Sequence, residues 1–194
     1  MFLLIVAASA HEAAVRAAGV DENLLIKISQ GDSAAFSDFY NQTKTAVYSF
    51  AMSILKNPHD AQDIMQDTYI KVHANAHSYT PQGKPLAWVF TITRNLCLMH
   101  LRKTGGRSAE FLDELDYENP LDFAKTVEDG QIIALAMKIL NDEERQIVVM
   151  HAVSGLKHRD IAFMLDMPVS TVLSKYNRAL GKMKKQLTQG GVTK

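Results

Sequence analysis

The stretch Asn57-Pro58-His59-Asp60-Ala61-Gln62-Asp63-Ile64-Met65-Gln66-Asp67-Thr68-Tyr69-Ile70-Lys71-Val72 decides the reading of this chain. Asn57 ahead of Pro58 marks a helix start: a side chain able to cap free N–H groups, then a residue that needs no donor in the first turn. Ile64, Thr68 and Val72 recur every four residues, with Ala61 and Met65 beside them, and define a core-facing stripe. Asp60, Asp63 and Asp67 lie on the other side with Gln62 and Gln66. Asp60 and Asp63 favour the positive helix start, whereas Asp63 and Asp67 repel each other by about 0.2–0.5 kcal/mol at this spacing. Such a face is ordinarily just solvated, but its small cost also suits a basic partner surface.

Outward from that helix, the pattern stays helical. Asp21 to Ser29 reads as a short helix, which Gly31-Asp32-Ser33 breaks and recaps. Ala34 to Leu55 carries Phe36, Phe39, Tyr40, Val47, Phe50, Ile54 and Leu55 at helical spacing. The Asp60 helix should end near Ala74, and Asn75 to Lys84, with Pro81 and Gly83, should be a loop. Pro85 then opens a helix to about Lys103, with Leu86, Val89, Phe90, Ile92, Thr93, Leu96, Cys97 and Leu101 as its apolar stripe. Gln131 to Leu140 is a further apolar helix, and Asn141 caps Asp142-Glu143-Glu144 ahead of Ile147, Val148 and Met150. After Ser154-Gly155, His158 to Leu165 is a short helix, Asp166-Met167 a tight turn, and Pro168 opens a basic helix to about Leu187. Two helices across a short turn, the second bearing Lys175, Arg178, Lys182, Lys184 and Lys185, read as a helix-turn-helix.

The fold class is therefore all-α: two small helical domains joined by an acidic linker, the second a helix-turn-helix. The expected divisions are an apolar extension over 1–20, a first domain over 21–104, a linker over 105–130 and a second domain over 131–190. Charge supports this division. Net charge is zero over the 194 residues, but the segments 1–34, 35–104, 105–130 and 131–194 carry −2, +3, −6 and +5. Two basic blocks flanking an acidic, Pro/Gly-punctuated tether matter because phosphate binding depends on local charge. The single cysteine, Cys97, excludes an internal disulfide and a Cys-based zinc site, sits in an apolar run as an inert thiol, and fits a reducing cytoplasm. Met1 to Ala10 has the apolar core and small-residue end of a signal peptide without a basic leader, and is too short to span a bilayer. It reads as a poorly ordered extension or a start placed too early.

Three blocks carry a resemblance. Asp60-Ala61-Gln62-Asp63-Ile64-Met65-Gln66-Asp67-Thr68-Tyr69-Ile70-Lys71 resembles the polymerase-gripping helix of bacterial sigma factors of the extracytoplasmic-function group, with Gln62 for the usual Glu and Tyr69 for the usual Phe. Pro85-Leu86-Ala87-Trp88-Val89-Phe90-Thr91-Ile92-Thr93-Arg94-Asn95-Leu96 is similar to that group's P-x-A-W-L-F/Y-x-I-A-R-N. In the last third, Leu140 to Arg145 resembles L-P-x-x-x-R, and Gly155-Leu156-Lys157-His158-Arg159-Asp160-Ile161-Ala162 resembles G-L-S-Y-x-E-I-A. Pro168 to Ala179 resembles P-x-G-T-V-K-S-R-L-x-R-A. His73 stands where Trp is common, Met99 where Asp is usual, Lys157 for a capping Ser, Asp166 for the turn Gly and Leu173 for a Lys.

The resemblance implies a sigma factor that binds the two largest subunits of core RNA polymerase, recognises minus-thirty-five and minus-ten promoter DNA and promotes melting. It implies no enzymatic activity, no cofactor, no metal and no small-molecule substrate, a cytoplasmic location, and an anti-sigma factor as the route to any membrane. By the same carry-over, Asp60, Asp63, Gln66 and Asp67 meet a basic coiled coil of the polymerase. Asn75, His77, Ser78, Tyr79, Lys84, Trp88, Arg94 and Asn95 serve the minus-ten element. Arg159, Ser170, Thr171, Ser174, Lys175, Asn177 and Arg178 serve the minus-thirty-five element. Trp88 and Tyr79 also have a plainer reading as core, since an indole on an apolar stripe usually packs inward. Leu173 removes one contact, so the second domain alone should bind DNA weakly. Two rivals stand beside this reading: a decoy that shares the helices but only sequesters an anti-sigma factor, and a metalloenzyme using His59, Asp63 and Asp67.

Overall fold

In the computed structural model, which describes residues 20–105 and 138–189, α1 (Asn23–Ser29) stops at Gly31, whose φ of +86° suits a residue without a Cβ. Asp32 then caps α2 (Ser33–Leu55), its carboxylate accepting from the N–H groups of Ala34 and Ala35 at 2.9 and 3.0 Å. The helix ends at Lys56, a non-glycine residue held left-handed at φ 59°. Asn57 caps α3 (Pro58–Asn75) as expected, accepting from His59 and Asp60 N–H.

The stripe read from spacing is the buried one: Ala61, Ile64, Thr68 and Val72 pack inward, joined by Tyr69, while Met65 is half-buried. Tyr69 donates its hydroxyl proton to Thr43, whose own hydroxyl donates to the Phe39 carbonyl, both at 2.7 Å. This closes a polar chain inside an apolar core. Burial drives the Tyr69 phenol well above its ordinary value. The expected loop from Asn75 needs correction. The helix runs on to Asn75, and Ala76–Ser78 forms a 3₁₀ turn. Asn75 Nδ2 donates to the Lys71 carbonyl at 2.8 Å and Ser78 Oγ to that of Asn75 at 2.7 Å, satisfying helix-end carbonyls and prolonging the helical path.

Helix α4 (Pro85–Lys103) lies across α2 and α3, with Phe90 stacked on Phe50 at 4.6 Å between centroids. Cys97 is buried in this packing, which pushes its thiol up to about 12, as an inert thiol requires.

The second half begins, for its described part, at Lys138; the acidic tether and most of the helix expected over 131–140 lie outside the described residues. Asn141 and Glu144 form a reciprocal capping box on α5 (Asp142–Val148). The helix widens into one π-helical segment, Val149–Val153, before Ser154-Gly155 ends it. α6 (His158–Leu165) and α7 (Val169–Gln189) make the expected helix-turn-helix. The turn has Asp166 at φ 53° where glycine is usual, a conformation that the short polar side chain of aspartate tolerates better than most. Among the described residues there is no strand.

The two halves are not beads on a string. α5 and the π segment pack on α2, and one apolar core runs from Phe50 and Phe90 to Ile147, Met150, Ile161 and Val172. Lys56 Nζ reaches Asp142 at 2.9 Å, and the buried Arg145 guanidinium reaches the Ser53 carbonyl at 3.4 Å. Across α4 and α6, Lys84 pairs with Asp160 at 2.6 Å.

Candidate functional site

The exposed side of α3 is the first candidate surface. Asp63, Gln66 and Asp67 are exposed, and among the described residues neither aspartate makes an ion pair. Asp60 differs: it is half-buried and lies 3.3 Å from His100 Nε2 on α4. Sequence reasoning missed Ile70, which is 67% exposed one turn after Gln66 and Asp67 and adds an apolar knob to the ridge. No periodicity flags it, because apolar residues outside the stripe become informative only once the packing is known.

The second surface is the end of α3 with the start of α4. His77 and Ser78 are exposed, but Tyr79 is anchored: its hydroxyl donates to Glu22 Oε2 at 3.0 Å and its ring meets Trp88 edge-on at 5.4 Å. Glu22 also accepts from Gly83 N–H at 2.7 Å, so one carboxylate from α1's start clamps both ends of the loop. Burial and the hydrogen bond to Glu22 push the pKa of the phenol above its ordinary value and keep it protonated. Trp88 is half-buried against the core, as its plainer reading required, while Asn95 is exposed and Arg94 half-buried. Lys84 faces the second half through Asp160. His73, where Trp is common, sets its ring edge-on to Phe36 at 5.3 Å.

The third surface is α7. Val172, Ala179 and Met183 form its buried stripe. Ser170, Leu173, Ser174, Asn177 and Arg178 are exposed, and Thr171 is half-buried. Lys175 does not join that face: it bonds Glu143 at 2.5 Å, and Lys182 bonds Glu144 at 2.7 Å. Lys182, the capping-box N–H of Asn141 and the nearby Arg178 offset burial and hold the Glu144 carboxyl below its ordinary value. The acidic first turn of α5 therefore serves the helix dipole and tethers two α7 lysines. On α6, Arg159 is exposed, 3.8 Å from Asp160, and Phe163 is 89% exposed.

Behind α7 lies an aromatic cluster. The rings of His151 and His158 sit 4.0 Å apart, and Tyr176 meets both edge-on. His151 Nδ1 is 2.8 Å from the Leu156 carbonyl, so it carries the proton there. His158 Nε2 is buried without a hydrogen-bond partner. Burial, then the neighbouring His151, depresses protonation of His158. A folded value below the unfolded one means stability is present above about pH 6.5 and falls as pH drops, because only the unfolded chain takes the proton freely. The thermal midpoint should fall between pH 7.5 and 5.5 for the native protein and fall less for His158→Tyr, which keeps an aromatic ring and has no titration in that range. Asp142 and Glu144, both lowered, act below that window.

Among the described residues no group of three or more His, Cys, Asp or Glu is placed to hold a metal, and no helix is long and apolar enough to cross a membrane.

Comparison with known proteins brings these surfaces under one heading. Family models described as Sigma-70 region 2 and Sigma-70 region 4 match residues 39–107 and 130–183. The ECF RNA polymerase sigma factor SigW of Bacillus subtilis is 26% identical over 174 residues, covering 83% of this chain and 93% of the relative. The ECF sigma factor SigE of Mycolicibacterium smegmatis is 30% identical over 169 residues, 82% of this chain and 65% of the relative. In structure, the chain resembles the sigma factor RpoE solved in complex with the anti-sigma factor NepR from Bartonella quintana, with TM-score 0.62, 23% identity, and coverage of 79% of this chain and 96% of that one. It also resembles CnrH in complex with the cytosolic domain of CnrY, with TM-score 0.59, 21% identity, and coverage of 87% and 97%.

Proposed function

This chain belongs to the sigma-70 family, in its extracytoplasmic-function branch, and acts in promoter recognition for transcription initiation; on that premise we propose how its three surfaces divide the work. The α3 ridge of Asp63, Gln66, Asp67 and Ile70 docks on a basic element of core RNA polymerase, with Asp60 at its margin. The turn Asn75–Tyr79, with Lys84, Trp88, Arg94 and Asn95, receives the minus-ten strand. The exposed side of α7 (Ser170, Ser174, Asn177 and Arg178), flanked by Thr171, Lys175 and Arg159, reads the minus-thirty-five element. The work is binding and placement rather than bond-making, in the cytoplasm. An anti-sigma factor is a further proposed partner, since the Bartonella relative was solved with one.

The observation that carries this reading is the contrast between an unpaired acidic ridge on α3 and a mainly polar, acid-free exposed face on α7. Acidic ridges suit protein, and a polar face rich in hydroxyl and amide groups suits base edges. The described arrangement holds the two reading surfaces together through Lys84–Asp160 and a shared core. Elements roughly 25 base pairs apart lie about 85 Å apart at 3.4 Å per step, so engaging both requires the halves to separate.

The test is promoter opening. Tyr79 must leave Glu22 and Trp88 to touch an unpaired base, where an aromatic ring contributes about 1–3 kcal/mol. With core polymerase and this protein, Tyr79→Ala should retain polymerase binding yet lose permanganate reactivity of minus-ten thymines. A premelted template should restore transcription at least in part. Reactivity equal to the native protein's would remove Tyr79 from the mechanism; a native holoenzyme that opens no promoter would remove the whole reading.

A further inference from the structure

The exposed face of α7 contains one side chain that its chemistry does not explain. Leu173 is 41% exposed among Ser170, Ser174, Asn177 and Arg178, and Val169, one turn before it, is 43% exposed. The domain does not need it for packing, because Val172, Ala179 and Met183 already fill the inner stripe. Nor does it replace a lost cation nearby: Lys175 and Lys182 are turned towards Glu143 and Glu144. An apolar edge on the outer face of the second helix of a helix-turn-helix points into the major groove when that helix docks.

Only one group on a base pair's major-groove edge is a methyl, that on C5 of thymine, which stands further into the groove than the C5–H of cytosine. The other major-groove positions are dominated by donors and acceptors that a leucine side chain would strip of water and leave unpaired. We infer that Leu173 reads a thymine methyl in the minus-thirty-five element, with Val169 extending the same apolar edge. The chain's departure at this position then changes promoter specificity as well as removing a phosphate or base contact. This rests on the placement of α7 on promoter DNA proposed above.

The experiment uses the full chain with core polymerase. Duplexes randomised at the minus-thirty-five region are selected for binding, and each thymine of the winning sequence is replaced singly by deoxyuridine, which lacks only the methyl. For the native protein, one such replacement should weaken binding about fourfold, the worth of one buried methyl group. In Leu173→Ala and Leu173→Lys the same replacement should have little effect, and selection with Leu173→Lys should no longer favour thymine there. Both substitutions are at an exposed position, and circular dichroism checks the fold. The inference is overturned if no thymine methyl matters to the native protein, or if its effect is undiminished in both variants. A native holoenzyme that selects no minus-thirty-five sequence overturns the placement of α7 itself, and this inference with it.

Discussion

The doubly reversed variant Asp63→Lys/Asp67→Lys should fail to co-purify with core RNA polymerase while keeping its helical content. Both side chains are exposed on α3, and among the described residues neither makes an ion pair, so no internal contact is lost. The like-charge repulsion between them stays at about 0.2–0.5 kcal/mol, since two lysines at this spacing repel as two aspartates do. Against a basic partner, by contrast, each reversal places like charges together, which costs several kcal/mol in an interface. Affinity should fall at least about a hundredfold, roughly 3 kcal/mol. Ile70→Ser, at the end of the same ridge, should weaken binding without changing its salt dependence, because it removes apolar area and no charge. Undiminished binding of the double variant at moderate salt would refute the assignment of this face.

Arg145→Ala should be the most destabilising single substitution of those considered. The guanidinium is buried, donates to the Leu140 carbonyl at 2.6 Å and to Asp142 at 2.8 Å, and reaches across to the Ser53 carbonyl of α2. Truncation leaves buried carbonyls unpaired, frees Asp142 from one of the two cations that hold its pKa down, and opens a cavity. A loss of about 3 kcal/mol or more is expected. Arg145→Met, which refills most of the space, should lose less. Because Arg145 also bridges the halves, the two unfolding signals should separate. Trp88, the single tryptophan, reports the first half, while circular dichroism reports both. Coincident transitions at the native midpoint in Arg145→Ala would show that the guanidinium is dispensable.

Much of this molecule was legible from local chemistry. Asn57-Pro58, Asp32 and Asn141 mark helix starts because capping depends on the residue itself and two or three N–H groups beside it. The stripe Ala61, Ile64, Thr68 and Val72 is buried because a helix's period fixes which side chains share a face, whatever they pack against. The acidic ridge and the helix-turn-helix follow from the same periodicity. Asn75 already lies beyond that reach: its side-chain N–H donates to the Lys71 carbonyl and prolongs the helix into a stretch that the Pro81 and Gly83 signals assign to a loop.

Tertiary structure decided the rest. Lys175 and Lys182 read as part of a basic helix, yet the fold brings Glu143 and Glu144 from α5 against them. Arg145 reads as one letter of a motif and proves to be a buried bridge between two halves. Glu22 carried no signal, and it holds Tyr79 and Gly83 from some sixty residues away. Ile70 and Leu173 look like any apolar residues until their faces are seen to be outward. A sequence fixes periodicity and capping over a few residues, where the chain itself sets the geometry. Which charges meet and which apolar groups stay wet depend on contacts between elements far apart in the chain, and those exist only once the core has formed.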